Sequence, residues 1–420
     1  MPFAIFMLGL AVFAQGTSEF MLSGLVPDIA ADLNVSIPSA GALTSAFAVG
    51  MIVGAPLAAI LSLRWPRRRA LLVFLIVFML VHVVGAVTTT FGILLAARVV
   101  GALANAGFLA VAIATATGMV DADAKGRATS VLLGGVTVAC VVGVPAGALL
   151  GQAWGWRAAF WAVALVCVPA VVAILRSVPF TEPFTEPFTE PSTELDRARG
   201  TAQAGARGER AATGPSARRE LRALRDPRLI VTLLLGALVN GATFCAFTYL
   251  APLVTGVSGV GEGWVPAMLA LFGLGSFAGV TVGGRLSDAR PTGVLVYGGP
   301  ALLAGWLLFA VAAGNPVAVV VLVFVQGTLS FAVGSTLIAR VLYAAAEAPS
   351  LGGAFATAAF NVGAAAGPFL GGVAIGAGLG YRSPLGVSAL LVALALVVAG
   401  TAGARARTRV RLVPRPGEGS

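Results

Sequence analysis

The stretch FAIFMLGLAVFAQGTSEFMLSGLV, residues 3–26, carries one charged side chain, Glu19, in a run long enough to cross a lipid bilayer as a helix. It predicts a retained membrane span rather than a signal peptide, because no basic segment precedes it and its apolar core exceeds the usual length of about 7–15 residues. Eleven further apolar runs of comparable length follow, at residues 40–63, 71–88, 91–116, 129–151, 158–175, 229–251, 264–284, 293–313, 316–338, 351–375 and 384–402. We therefore expect an all-α membrane protein with twelve transmembrane helices, numbered here as spans 1 to 12.

The composition excludes an ordinary soluble protein, since 58% of the residues are hydrophobic and only 10% are charged. The net charge of +10 follows topology: all but three of the 27 basic residues fall on one side of the predicted spans. The exceptions are Arg98, Arg157 and Arg382. By the positive-inside rule, both termini are expected in the cytoplasm. The alternative to this topological explanation is a membrane-surface or nucleic-acid role for the basic tail. We favour the topological explanation and therefore expect no nucleic-acid partner.

The chain repeats itself at an offset of about 225 residues, so that Gly155-Trp156-Arg157 falls over Gly380-Tyr381-Arg382. Parallel repeats of six helices each predict two halves that rock about a site near the middle of the membrane. Between the halves, FTEP occurs three times in a polar, low-complexity segment that predicts a disordered cytoplasmic linker. The predicted divisions are an N-terminal half at 1–176, the linker at 177–227, a C-terminal half at 228–403 and a basic cytoplasmic tail at 404–420.

Side chains that bind metals or nucleotides do not form a recognisable group in the sequence. The three cysteines, Cys140, Cys167 and Cys245, fall within predicted spans, where a free thiol behaves as a small apolar residue. No Cys/His cluster and no Gly-rich phosphate loop is present, so no metal, cofactor or ATP is expected. This favours a secondary transporter over an enzyme.

Three segments carry a family resemblance: QGTSEFMLSGLVPDIAADL from Gln15 in span 1, AARVVGALANAG around Arg98 in span 4, and GVPAG from Gly143 in span 5. Together they resemble the twelve-helix drug:proton antiporters of the major facilitator superfamily. The segment LSLRWPRRR at 61–69 resembles the actinobacterial chloramphenicol exporters in particular, although Leu63 stands where the family usually has an aspartate.

The resemblance implies proton-coupled efflux of a small amphipathic drug, most simply chloramphenicol, across a bacterial plasma membrane, by a protein that functions as a monomer. Two alternatives stay open at this point. Sugar- and nucleoside-exporting relatives share a similar first-span motif, and a non-transporting membrane receptor or lipid-handling protein could keep the same fold. Proton movement on addition of substrate separates a receptor from an antiporter.

Glu19 is the leading candidate for the proton site, because a charged side chain inside a span costs about 2.5–3.5 kcal/mol and is seldom kept facing lipid. Glu19 and Arg98 lie at similar depths, about 10 Å from the outer ends of their spans, and are expected to act together in proton coupling. The alternative is a structural ion pair. His82, the one histidine, is expected to donate a hydrogen bond as a neutral ring rather than to relay protons.

Polar and aromatic residues on faces directed to the centre are the candidates for substrate contacts. They are Gln15, Asn105, Asn240, Phe244, Phe247, Gln326 and Asn361. A second set is expected to serve conformational change through a cytoplasmic latch and a smooth glycine face on span 5, for which static tight packing is the alternative. It comprises Arg64, Gly143, Pro145, Gly147, Gly151 and Asp288.

Overall fold

The computed structural model describes residues 2–62, 65–121, 124–178, 226–289, 291–345 and 352–411. Within these ranges, twelve helices are long and apolar enough to cross a membrane. The prediction of an all-α membrane protein with twelve spans is therefore confirmed. Helices are the expected solution, because each backbone N–H and C=O inside the bilayer must be paired within its own segment.

The first half contains spans 1 to 6. Span 1 is broken once, at Met21, and span 5 contains one wider π-helical turn. The helices are Phe3–Phe20 with Leu22–Asp32 (span 1), Ile37–Ser62 (span 2), Arg67–Val87 (span 3), Phe91–Gly118 (span 4), Lys125–Val138, Ala139–Gly143 and Val144–Trp154 (span 5), and Trp156–Ser177 (span 6).

The second half contains spans 7 to 12, and side chains of Asp226 and Asn315 cap the first N–H groups of spans 7 and 10. The helices are Pro227–Thr248 with Leu250–Gly256 (span 7), Glu262–Trp264 with Val265–Ala289 (span 8), Pro291–Ala312 (span 9), Pro316–Ala344 (span 10), Gly352–Ala374 with Ile375–Leu379 (span 11), and Ser383–Arg411 (span 12). Span 12 thus continues beyond its predicted end into the basic tail. The linker lies outside the described residues from 179 to 225, and so does the tail from 412.

The internal repeat appears in the backbone as well as in the sequence. Gly155 and Gly380, which are 225 residues apart, join the last two spans of each half with φ values of 81° and 74°. Glycine adopts this left-handed conformation without the steric penalty of other residues. Each carbonyl then accepts the N–H three residues later, from Ala158 at 3.0 Å and from Ser383 at 3.1 Å. The first span of each half is broken at a comparable place, Met21 and Tyr249.

Each half has its own hydrophobic core. One cluster runs from Ile5 to Val178 and belongs to the first half alone. The other belongs to the second half, except that Val144 and Ala148 of span 5 join it and Phe20 packs against it. The two halves are thus separate packing units that meet through spans 1 and 5 on one side.

Contacts between the halves concentrate at the end of the molecule opposite the termini. On one side Gly24 of span 1 packs against Ala148 of span 5 and Leu269 of span 8. Beyond them, the Nε2 of Gln152 donates a hydrogen bond of 2.6 Å to the backbone oxygen of Glu262. On the other side spans 2 and 11 pack against each other, and Gly372 of span 11 lies next to Pro38 at the start of span 2. This end of the molecule is closed.

Candidate functional site

A cavity of about 380 Å³ lies between the two halves. Along span 5, the cavity residues 133–140 come before Ala148 and Gln152, which form the closed end, so the cavity lies on the side of the termini. Its walls are mostly apolar, with one amide, several hydroxyls and no charged side chain among the described lining residues. The lining residues are Phe20, Leu133, Val136, Thr137, Cys140, Val239, Asn240, Thr243, Ser276, Phe277, Val280, Ser330, Phe331, Gly334, Ser335, Ile338 and Phe360.

An aromatic cluster adjoins this cavity and shares Phe20 and Phe331 with its lining. The ring of Phe20 lies 5.6 Å from that of Phe244 and 6.5 Å from that of Phe247. Phe272 stacks on Phe247 at 4.5 Å and contacts Phe331 edge-on at 6.3 Å. Phe20 directly follows Glu19 in span 1, whereas the other four rings belong to the second half. The cluster therefore joins the candidate proton site to the cavity wall.

Of the seven predicted substrate contacts, the structure brings three together. Asn240 lines the cavity, and its Nδ2 donates a hydrogen bond of 2.7 Å to the backbone oxygen of Phe360. Phe244 and Phe247 belong to the aromatic cluster. The sequence placed these three side chains on one face of span 7, and in the structure that face is directed to the cavity and the aromatic cluster.

The other four predicted contacts lie away from the cavity lining. Gln15 and Asn105 are buried in the first half. Gln326 is buried between spans 9 and 10, where its Nε2 donates to the backbone oxygen of Leu302 at 3.3 Å. Asn361 donates to the oxygen of Thr357 on its own helix at 2.9 Å. A role of these four side chains in substrate binding stays a prediction.

Arg98 contacts span 1 next to Glu19, but the two side chains form no ion pair within 4.0 Å. Arg98 is 2% exposed, and its Nη1 donates a hydrogen bond of 2.8 Å to the Oγ of Ser18, the residue before Glu19. Its guanidinium carbon lies 4.3 Å from the ring centre of Phe47. Glu19 and Arg98 are nevertheless near enough to interact electrostatically.

The glycine face of span 5 packs within the first half and not across the interface between the halves. Gly143, Gly147 and Gly151 face Thr17, Met21 and Leu25 of span 1, which recur at the same four-residue spacing. Another face of span 5, at Cys140 and Ala148, meets span 8. In the second half Gly363, Gly367 and Gly371 pack in the same way on Ala237, Gly241 and Cys245 of span 7.

Pro145 explains the local geometry of span 5. Proline has no N–H to bond the preceding turn, and a wider turn is a common way to accommodate that loss. The π-helical turn Ala139–Gly143 lies directly before it. A role of Pro145 and the glycine face in conformational change stays a prediction.

The predicted latch residues fall at the edge of the described structure. Arg64 lies outside the described residues, and Asp288 lies in the last turn of span 8 with its side chain outside them. Within the described ranges, no group of three or more His, Cys, Asp and Glu side chains is placed to hold a metal ion.

Sequence reasoning missed Ser18, Phe20, Phe47 and Cys140 as members of the site. Ser18 and Phe20 flank Glu19, but serine and phenylalanine are ordinary residues in a membrane span, so neither is conspicuous in the sequence. Phe47 and Cys140 come from spans 2 and 5, and only the packing of those spans against spans 1 and 4 reveals their place.

The comparison with known proteins assigns the family. Residues 8–358 match the Major Facilitator Superfamily. The chain belongs to this superfamily. Members of the superfamily are transporters rather than enzymes, so the predicted family and the assignment as a non-enzyme are both confirmed.

Among relatives, a chloramphenicol resistance protein of Streptomyces lividans is 56% identical over 95% of this chain and 96% of its own length. An inner membrane transport protein of Escherichia coli, YdhP, is 34% identical over 93% of both chains. A solved bacterial homologue of the human lysosomal transporter Spinster, described as inward-facing and unoccupied, covers 99% of this chain and 98% of its own. Its TM-score is 0.66 at 17% identity, which supports the shared fold.

Proposed function

We propose that this protein exports a small amphipathic drug across the plasma membrane in exchange for protons, and that chloramphenicol is a substrate. The observation that carries the proposal is the cavity between the halves, where aromatic rings, hydroxyls and the amide of Asn240 surround an uncharged space. A phenicol has an aromatic ring with hydroxyl and amide groups, so each part finds a matching surface. The Streptomyces lividans relative, 56% identical, is a chloramphenicol resistance protein, which supports the same substrate.

The orientation of the cavity follows from the charges and the fold together. The basic residues flank the spans on the side of the termini, and the positive-inside rule places that side in the cytoplasm. The cavity then faces the cytoplasm while the outer end is closed. In the proposed cycle, drug enters this cavity from the cytoplasm, the halves rock to open the outer end, and protonation of Glu19 accompanies drug release.

Glu19 couples the two cargoes because of its position. It lies between Ser18, which bonds Arg98, and Phe20, which lines the cavity. A change in the charge of Glu19 therefore acts on Arg98 on one side and on the cavity wall on the other. One chain contains both groups, which supports a functional monomer. The relative from Streptomyces supports an actinobacterial source.

Accumulation of radiolabelled chloramphenicol in cells tests the proposal directly. Cells that express the protein should hold less drug than vector cells, and a protonophore should raise their drug content to the vector level. Equal drug content in both strains, with the protein present in the membrane, would contradict chloramphenicol export. Low drug content that a protonophore leaves unchanged would contradict the coupling to protons but not the export of chloramphenicol.

A further inference from the structure

A hydrogen-bonded chain of three side chains crosses the first half beside Glu19. The Nη1 of Arg98 lies 2.8 Å from the Oγ of Ser18, and that oxygen lies 2.6 Å from the Nε2 of His82. The Nδ1 of His82 lies 2.6 Å from the backbone oxygen of Phe78. Arg98, Ser18 and His82 are each at least 97% buried, so water does not compete freely for these bonds.

The positions of the protons in this chain follow from its far end. The carbonyl of Phe78 only accepts, so the Nδ1 of His82 carries the proton. In a neutral ring the Nε2 then accepts, and the hydroxyl of Ser18 donates to it. This leaves the lone pairs of the Ser18 oxygen directed to accept the N–H of Arg98. His82 thus orients the hydroxyl that holds Arg98.

A neutral His82 is required for this arrangement. A protonated ring would donate to Ser18 and place a positive charge beside that of Arg98. The packing favours the neutral ring, because the aromatic rings of Phe78 and Phe160 lie 4.2 and 5.8 Å from it. An ionised group in such surroundings loses most of its hydration.

Arg98 is held by Ser18 but is not saturated. Its Nε and Nη2 are buried and have no hydrogen-bond partner among the described residues. A guanidinium with open donors gains more from a carboxylate than from a neutral hydroxyl, because bonds between charged groups are about twice as strong. The carboxylate within electrostatic reach is that of Glu19. The charged or titratable groups that the neighbouring spans bring to Glu19 are Arg98 itself and Cys140, and His82 in turn faces Arg98.

We infer that Ser18 and His82 are positioning residues that hold Arg98 away from Glu19 while Glu19 is protonated. When Glu19 releases its proton, the carboxylate draws Arg98 from Ser18. When Glu19 takes up a proton, Arg98 returns to the oriented hydroxyl. The strength of the Ser18–His82 contact thereby sets the pH at which exchange is half-maximal. The inference rests on the proposed proton exchange.

The pH profile of chloramphenicol transport by purified protein in proteoliposomes tests this role. Ser18→Ala and His82→Leu each release Arg98 to pair with Glu19, so the pH of half-maximal exchange should fall by about one unit. The double variant should show the same shift as either single one, since all three side chains act in series. A loss of packing alone would lower the rate at every pH and leave the midpoint in place.

Conservative variants separate hydrogen bonding from size. Ser18→Thr keeps the hydroxyl, and His82→Gln places an amide oxygen near the position of Nε2, so both should keep the wild-type midpoint. His82→Asn retains a donor for Phe78 but is too short to reach Ser18, and it should shift the profile as His82→Leu does. It also replaces His82→Leu if that variant fails to reach the membrane.

Two results would overturn the inference, and they differ from each other. If wild-type transport moves protons but Ser18→Ala and His82→Asn keep its midpoint, Ser18 and His82 do not position Arg98. If wild-type transport moves drug without protons, the proposed exchange fails and the inference fails with it. Simultaneous recording of internal pH and drug uptake distinguishes the two.

Discussion

Cys140 is a native thiol in the wall of the cavity, whereas Cys167 and Cys245 are fully buried in the two halves. A membrane-permeable maleimide should therefore modify Cys140 first. Chloramphenicol at about ten times its Kd occupies most of the sites and should slow this modification about tenfold. Mass spectrometry of the labelled protein measures both effects. Modification of Cys140→Ser at the wild-type rate would show that the thiol in the cavity is not the reactive one.

Replacement of Glu19 tests its role as the proton-coupling site. Glu19→Gln keeps the shape of a protonated carboxyl group but cannot release a proton. Drug accumulation driven by the proton gradient should be lost, whereas exchange of labelled for unlabelled chloramphenicol across proteoliposomes should persist. Glu262→Gln, an exposed carboxylate at the closed end, is the matched control and should transport normally, because only the backbone oxygen of Glu262 contacts Gln152. Unchanged efflux by the Glu19 variant would exclude it as the coupling site.

At the residue scale the sequence was informative only where a residue is anomalous by itself. Glu19 stands out because placing a carboxylate inside an apolar span costs free energy, and this holds without any knowledge of its neighbours. Ser18 gave no such signal, because serine and threonine in membrane helices commonly bond their own backbone. Thr17 does so, donating to the oxygen of Phe13 at 2.9 Å. Whether a hydroxyl turns outward depends on a partner such as His82, from another span.

At the scale of elements, span 5 can be tested through two of its glycines. A Cβ added at Gly143 would collide with Thr17, whereas a Cβ at Gly134 of the same span meets nothing within 4 Å. Gly143 has an ordinary helical φ of −64°, so any penalty is steric. Gly143→Ala should cost about 1–3 kcal/mol through overpacking. Gly134→Ala should be neutral or stabilising by up to about 1 kcal/mol.

Thermal unfolding of the two purified variants in detergent measures this contrast. Chloramphenicol export by cells that express each variant is measured in parallel. A midpoint for Gly143→Ala equal to that of Gly134→Ala would mean that spans 1 and 5 are not packed closely at this level. The double variant Gly143→Ala with Thr17→Ala should recover part of the loss, because it removes the γ atoms that a Cβ at residue 143 would meet.

The spans themselves were predictable because length and hydropathy are properties of single segments, and the repeat was predictable from short matches such as Gly155 and Gly380. The rotation of each span about its axis was not. Asn361 and Asn240 looked equally well placed on their helices, yet Asn240 lines the cavity and Asn361 bonds its own helix. The rotation is set by contacts such as the glycine faces, which involve two segments at once.

For the whole molecule, alternating access requires that the closed end open. The hydrogen bond from Gln152 to Glu262 lies at that end and joins the halves, whereas Leu133 and Val280 lie on the two sides of the cavity at the other end. A short bifunctional thiol reagent should therefore link Gln152→Cys to Glu262→Cys in this conformation. The background is a variant without native cysteines whose export has first been confirmed.

The link should stop export while drug still binds from the side of the termini, since the cavity stays accessible there. A reducible reagent supplies the internal control, because cleavage of the link should restore export in the same sample. The pair Leu133→Cys with Val280→Cys should link mainly when the outer end is open, and its linking should trap the opposite state. Export at the normal rate with Gln152→Cys and Glu262→Cys fully linked would mean that drug leaves without separation of the outer ends. The rocking of two rigid halves, each with its own core, would then be excluded as the route.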